Sequence, residues 1–270
     1  MDLQAGLRIR THLEFTQEQF DAFASISGDD NPIHVDPEFA ARTRFERTLA
    51  HGMFLFGTSL AGLPRTRLGR SARVVAQSLR FPGPTFAGDK ARLVVEVVEA
   101  TTTTARLRTV IDKADGTTCC EGETWLASGG AAPVLPPPSS GETAEAMGRF
   151  EVGQRAEKHR VFTRGDVAAY ATLTRDTSAL ADSAVPEALI GGLFSDLLGT
   201  ELPGRGTNWM KQSFEFVRPV QIDEVMTASV EIVRLRPEKQ LVNLMTIARD
   251  TDGAVVCRGN ALVMAREMAS

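Results

Sequence analysis

Cysteine is scarce in this chain. Its 270 residues include three: Cys119 and Cys120 are adjacent, Cys257 is far from both, and no C-x-x-C spacing occurs. That pattern excludes a disulfide framework, offers no zinc motif and suits a reducing, cytoplasmic setting. Long apolar runs are lacking too. No stretch approaches the roughly 20 residues of a membrane-spanning helix, and MDLQAGLRIRTHLEF at the start has no apolar leader core, so neither span nor secretory leader is expected. Positive charge is not in excess either. Thirty Lys and Arg against 34 Asp and Glu leave a net charge of −4, which argues against nucleic acid or an anionic membrane as partner. What remains, 43% hydrophobic and 24% charged, is an ordinary globular composition, long enough for one large core or two modest ones.

The order of segments repeats. FTQEQFDAFASISGD (15–29) lies against FTRGDVAAYATLTRD (162–176), and AHGMFLFGTSLAGL (50–63) against IGGLFSDLLGTEL (190–202). QSLRFPGPTFAGDKARLVVEVV (77–98) lies against QSFEFVRPVQIDEVMTASVEIV (212–233), and TTCCEGETWLA (117–127) against AVVCRGNALVM (254–264). Self-similarity in one order means a duplicated fold. The chain therefore divides into 1–128, a Pro/Gly-rich linker over 129–149, and 150–270. Each half reads alike. Thr16 with Gln19 forms a capping box ahead of a short helix with Phe20, Phe23 and Ala24 on one face. Asp36-Pro37 opens a small helix. A nearly all-apolar helix runs from Gly52 to about Gly62 and, being apolar on most sides, is expected to be buried. Three or four strands follow, with hairpin turns at Asp115-Gly116 and Asp252-Gly253. The architecture is α+β: an antiparallel sheet wrapped around a central helix, occurring twice.

Between the first two helices stands SGDDNPIH (27–34). A turn needs some of those residues, but it does not need a carboxylate and an imidazole at fixed separation. Alone, Asp29 reads as an Asx turn ending its helix and His34 as a solvated imidazole. Asn31-Pro32 keeps the two off one continuous helix face, so a turn must fold them together. Gly52 opens the buried helix, where N–H groups are unpaired and the dipole is positive. Glycine there serves either close packing or the close approach of a carbonyl oxygen.

The longer stretch SGDDNPIHVDPEFAARTRFERTLAHGM (27–53) resembles the signature of the MaoC-like, (R)-specific enoyl-CoA hydratases, a hotdog-fold family: Ser-Gly-Asp, Asn-Pro, His-x-Asp, an Ala/Phe-rich segment, then His-Gly-Met. The resemblance extends through both halves and implies a double hotdog. It implies a hydro-lyase that adds water to a 2-enoyl-CoA to give the (R)-3-hydroxyacyl-CoA, or the reverse. Such a reaction needs a base for water, an acid for the α-carbon and a donor for the enolate oxygen. By resemblance, Asp29 and His34 are the catalytic pair and Gly52 the oxyanion donor. Asn31 and Asp36 hold the loop, and His51 orients it. The family's serine eight residues after this glycine is replaced by Leu60, so either Ser59 or Thr58 substitutes for it in holding Asp29 or the role is absent. No metal and no cofactor are implied, the thioester of CoA or a carrier protein being substrate; a homodimer stays open.

The second half departs from the motif. Asp176 matches Asp29, but Ala181 stands for His34 and Gly191 for His51, and the spacing from Asp to the helix glycine falls from 23 to 16 positions. Half two is thus expected to form pocket wall, its shortened region leaving room beside the acyl tail. Four rivals stand against this reading. A hydratase of branched or dicarboxylic acyl-CoAs such as mesaconyl- or itaconyl-CoA would call for an arginine in the pocket, and Arg42, Arg44 and Arg47 flank the motif. A hotdog thioesterase needs a carboxylate on the central helix, where only Asp196 of half two qualifies. A metal site of Asp29, His34, Asp36 and His51 has suitable ligands but no zinc- or iron-like spacing. A non-catalytic acyl-binding module would leave the intact first motif unexplained.

Overall fold

The computed structural model describes residues 3–61, 63, 72–128, 143–180 and 183–265. The first half runs β1 (Arg8–Glu14), α1 (Gln17–Ser27), α2 (Pro32–Val35), α3 (Pro37–Ala41), α4 (Gly52–Ala61), β2 (Arg73–Arg80), β3 (Lys90–Ala100), β4 (Thr104–Lys113) and β5 (Thr118–Ala127). The second has a two-strand ribbon, β6 (Ala146–Met147) and β7 (Phe150–Glu151), then β8 (Arg155–Val161) and α5 (Arg164–Thr174). A 3-10 turn Thr177–Leu180, α6 (Glu187–Asp196), and a π-helical turn Leu197–Glu201 come next. Strands β9 (Asn208–Phe216), β10 (Val225–Arg236), β11 (Leu241–Arg249) and β12 (Val255–Met264) close the order.

The capping box is present: Thr16 Oγ1 accepts from Gln19 N, and the Gln19 side chain accepts from Thr16 N at 3.0 Å. Gly28 ends α1 in the left-handed region (φ 85°), a conformation glycine takes without a Cβ penalty. Helix α4 is buried from Met53 to Leu60, and α6 from Ala188 to Asp196. The two helices pack together, with Phe214 of β9 against Phe56 and Phe194, ring centroids at 6.3 and 5.9 Å.

The duplication does not give two separate sheets. Ten strands join as β1-β3-β4-β5-β2-β9-β12-β11-β10-β8, with Ser78 of β2 opposite Ser213 of β9 at the seam. The order on one side of the seam is repeated in reverse on the other. The edge strands β1 and β8 were not part of the sequence reading; both alternate exposed with half-buried residues. Of the expected linker, 129–142 lies outside the described residues, and Ala144 pairs with Leu235 of β10. No described helix is long and apolar enough to cross a membrane.

Candidate active site

Local sequence builds the loop after α1. Asp29 N–H bonds Ser27 Oγ at 3.2 Å, and Asn31 N–H bonds Asp29 Oδ1 at 3.3 Å. Asn31 Oδ1 caps α2 through Ile33 N (3.4 Å), and Asp36 Oδ1 caps α3 through Glu38 N and Phe39 N (2.9 and 3.0 Å). The two capping side chains thereby bend the chain twice within six residues. The bends bring Asp29 and His34 together with His51, one ligand-type atom of each lying within 4.8 Å of the others. Asp29 is 1% exposed and His51 fully buried.

Hydrogen bonds set the direction of each ring. His34 Nδ1 is 2.8 Å from Leu49 O and His51 Nε2 is 3.0 Å from Asp29 O. Because a carbonyl only accepts, those nitrogens carry the protons, which leaves His34 Nε2 as a lone-pair acceptor. Burial pushes the His34 imidazole below its ordinary value, although Asp29 and the Leu49 carbonyl work in the opposite direction. It pushes His51 further down, with His34 adding to the effect. Both rings are therefore neutral near pH 7.

The two imidazoles stack, centroids 3.8 Å apart and planes at 30°. Asp36 caps α3 on the exposed surface and does not line the cavity beside His34.

That cavity has a volume of about 190 Å³ and is walled by both halves. Half one supplies Asn31, His34, Gly52, Leu55 and Phe81; half two supplies Ser195, Leu198 and the run Gly206–Trp209. Gly52 is the first residue of α4, so its N–H has no partner within the helix. A Cβ there would stand 2.9 Å from the Phe81 ring, so the position admits glycine alone without moving that ring. Of the three flanking arginines Arg44 lines the cavity, whereas Arg47 is tied to Ala87 O at 2.6 Å. Arg44 has no carboxylate partner among the described residues.

The expected hydroxyl does not reach Asp29. Ser59 Oγ donates to Phe56 O at 2.7 Å and Thr58 Oγ1 to Phe54 O at 2.9 Å, both turned back onto their own helix. Ser195 of α6 takes the place, its Oγ donating to Asp29 Oδ2 at 2.5 Å. The signal was present in the sequence: IGGLFSDLL breaks an apolar helix with one hydroxyl, where Leu55 stands in half one. Half two also grips the loop from below. Arg160 Nη2 donates to Ile26 O at the end of α1 (2.9 Å), and Gly199 in the π-helical turn seats Asn31, whose Nδ2 would be 2.7 Å from a Cβ there. Asp196 faces away from the cavity, paired with Lys158 Nζ at 2.6 Å and bonded by Thr200 at 3.0 Å.

The matching place in half two is built differently. Ala181 lies outside the described residues. Asp176 is buried at the head of the 3-10 turn, accepting from Ser178 Oγ. Helix α6 begins at Glu187, five residues ahead of Gly192, the counterpart of Gly52. The Gly192 N–H therefore falls inside the helix, and no free N-terminus stands where one would be needed. The shortened region does not widen the first cavity; Ser183 to Glu187 line a separate one in half two.

The MaoC-like domain model matches residues 2–117. The (R)-specific enoyl-CoA hydratase of Aeromonas caviae is 36% identical over 126 residues, 42% of this chain and 94% of that one. The 3-hydroxybutyryl-CoA dehydratase of Methylorubrum extorquens is 34% identical over 135 residues, 50% of this chain and 82% of that one. Among solved structures, a MaoC-like dehydratase superposes with a TM-score of 0.76 at 14% identity, covering 96% of this chain and 98% of that one. A Mycobacterium tuberculosis protein described as a double hotdog gives 0.74 at 14%, covering 97% of each. The two structures share the fold alone.

Proposed function

The chain belongs to the MaoC-like dehydratase family, and from that premise we propose that it is a hydro-lyase adding water to the 2,3 double bond of an enoyl-CoA, or removing it in reverse. The observation that carries this reading is the meeting of His34 and the unpaired Gly52 N–H on one cavity, with the buried Asp29 carboxylate within 4.8 Å of the His34 ring nitrogen behind its wall. The thioester oxygen sits against Gly52 N–H at the positive end of α4, where negative charge develops as the enolate forms. Water lies between Asp29 and His34 Nε2. Its oxygen bonds to C3, its proton passes to the Asp29–His34 couple, and a proton from the couple goes to C2. No charge is left on the protein at the end. Ser195 holds Oδ2 of Asp29, which fixes the direction in which the rest of the carboxylate faces. His51 ties the Asp29 carbonyl and packs under His34, supporting both members at once.

Because water is held on one face of the alkene, a single enantiomer forms, and the Aeromonas relative supports (R). The test is a panel of enoyl-CoAs and enoyl-carrier-protein thioesters, following loss of enoyl-thioester absorbance and then chiral analysis of the product. An (S)-3-hydroxyacyl product would overturn the stereochemical assignment; inertness towards every enoyl thioester would overturn the reaction. Mesaconyl-CoA belongs in the panel, since Arg44 on the cavity wall favours a second reading in which the acyl group carries a carboxylate. The thioesterase alternative loses its nucleophile, because Asp196 is paired with Lys158 outside the cavity.

A further inference from the structure

The wall of the active-site cavity carries a hydroxyl that the fold does not use. Thr85 lines the cavity and is 2% exposed, and its Oγ1 has no hydrogen-bond partner among the described residues. Beside it stands the Cys119 thiol, fully buried on the same wall. Burial pushes that thiol up, and the Thr85 hydroxyl works in the opposite direction. A thiol is a weak hydrogen-bonding group, and Cys119 Sγ already faces Thr117 O at 3.8 Å and Pro84 O at 3.9 Å. It leaves Thr85 unsatisfied. A buried hydroxyl without a partner gives up its hydration for nothing in return, so native structures rarely keep one without a use.

The duplication supplies a control. Val220 of half two is the counterpart of Thr85, and Val256 that of Cys119. The backbone is held alike in both halves: Thr85 O accepts from Ala50 N and Val220 O from Val185 N, each at 2.8 Å. Asp89 Oδ2 accepts from Phe86 N at 3.0 Å, and Glu224 Oε2 from Gln221 N at 3.3 Å. Val220 and Val256 are both buried. Valine, the apolar match to threonine in shape, therefore satisfies the fold at this place. The two polar groups stand only in the half that holds Asp29 and His34.

About 190 Å³ cannot hold CoA together with an acyl group. The pantetheine arm must leave past the less buried rim of Arg44, Asn208 and Trp209, and the acyl group meets the buried wall. Lys113, the cation that acts on Cys119, is paired with Asp89 at 3.2 Å, and Asp89 and Asp115 oppose it. The wall thus suits a neutral oxygen better than a carboxylate. We propose that Thr85 is a specificity-determining residue whose hydroxyl bonds a hydroxyl or carbonyl oxygen on the acyl group beyond C3, a proposal that rests on the enoyl-thioester reading of the cavity. A site with a buried polar group discriminates against an analogue that leaves that group unpaired.

Hydration of hex-2-enoyl-CoA and of its 4-, 5- and 6-hydroxy derivatives by the full chain tests this. For the wild type, kcat/KM with at least one hydroxy derivative should exceed that with hex-2-enoyl-CoA about tenfold. Thr85→Val, a side chain that half two already accommodates, should abolish or invert the preference, and Thr85→Ser should keep it. Should Thr85→Val fail to fold, Thr85→Ala removes the same hydroxyl. A wild type that favours hex-2-enoyl-CoA over every derivative overturns the proposal, as does a folded Thr85→Val with the wild-type ratio. A fall by one common factor for all substrates also overturns it, because the hydroxyl would then serve the pantetheine arm they share. If no enoyl-CoA is hydrated, the reaction proposed above fails, and calorimetry with hexanoyl-CoA and its hydroxy derivatives still decides the role of Thr85. The same preference in affinity, lost in Thr85→Val, upholds that role; its absence overturns it.

Discussion

In the proposed reaction, Ser195 determines which part of the Asp29 carboxylate is available for water. With Oδ2 held at 2.5 Å by a buried hydroxyl, the carboxylate cannot rotate freely. Hydrogen bonds to charged groups contribute about 1.5–3 kcal/mol, so Ser195→Ala should lower kcat roughly 10- to 100-fold with little change in KM. Ser59→Ala should leave kcat unchanged, and equal losses from the two variants would contradict the assignment. His34 must be neutral to accept a proton. Since burial lowers its proton affinity below the ordinary value near 6.5, kcat/KM should hold steady down to about pH 6.5 and fall only in more acid solution. An acid limb centred above pH 7 would contradict the neutral resting imidazole. The nearness of Asp29 and His34 was legible because they stand five residues apart in a loop built by the Asn31 and Asp36 caps, and that of Gly52 because it opens the apolar helix. Ser195 was not, because its partner is 166 residues away and nothing local marks it beyond one hydroxyl in an apolar run.

The two central helices differ at their starts, and in the proposed reaction that difference separates the catalytic half from the other. Helix α4 opens at Gly52, whereas α6 opens five residues before its own matching glycine. Gly52→Ala should test this, because a methyl group at 2.9 Å from the Phe81 ring must displace either the ring or the helix start. A displacement of this kind should lower kcat/KM by about 10- to 100-fold, measured with crotonyl-CoA, while Gly253→Ala in the β11–β12 hairpin leaves it unchanged. Caps, hairpin turns and the two buried helices were readable from residues three or four apart. The edge strands were not. RIRTHLE and RAEKHRV are rich in charge and look like surface loops, yet Lys158 and Arg160 point inward from β8 to Asp196 and to the carbonyl of Ile26. Inward charges also protect a sheet edge from pairing with other chains.

Across the whole molecule, a single ten-stranded sheet holds the two halves in one register, and half two supplies Ser195, Arg160 and Gly199 to a loop of half one. Residues 1–130 alone should therefore be inactive and prone to self-association, exposing the apolar face of α4 that α6 and Phe214 cover. Size-exclusion chromatography with an activity assay checks this. Acid should also weaken the fold. His34 and His51 are held below their ordinary proton affinity, so the unfolded chain binds more protons than the native one as pH falls below about 6.5. Their contribution is complete above that value and declines by up to about 1.4 kcal/mol per pH unit for each ring; urea unfolding at pH 7.5 and 5.5 measures it. The most direct test of the central claim is the rate of crotonyl-CoA hydration by wild type, Asp29→Asn, His34→Ala and the double variant. Each single change should cost about a thousandfold, the double little more, because the two residues act as one unit. Near-wild-type turnover by either folded single variant would contradict the account.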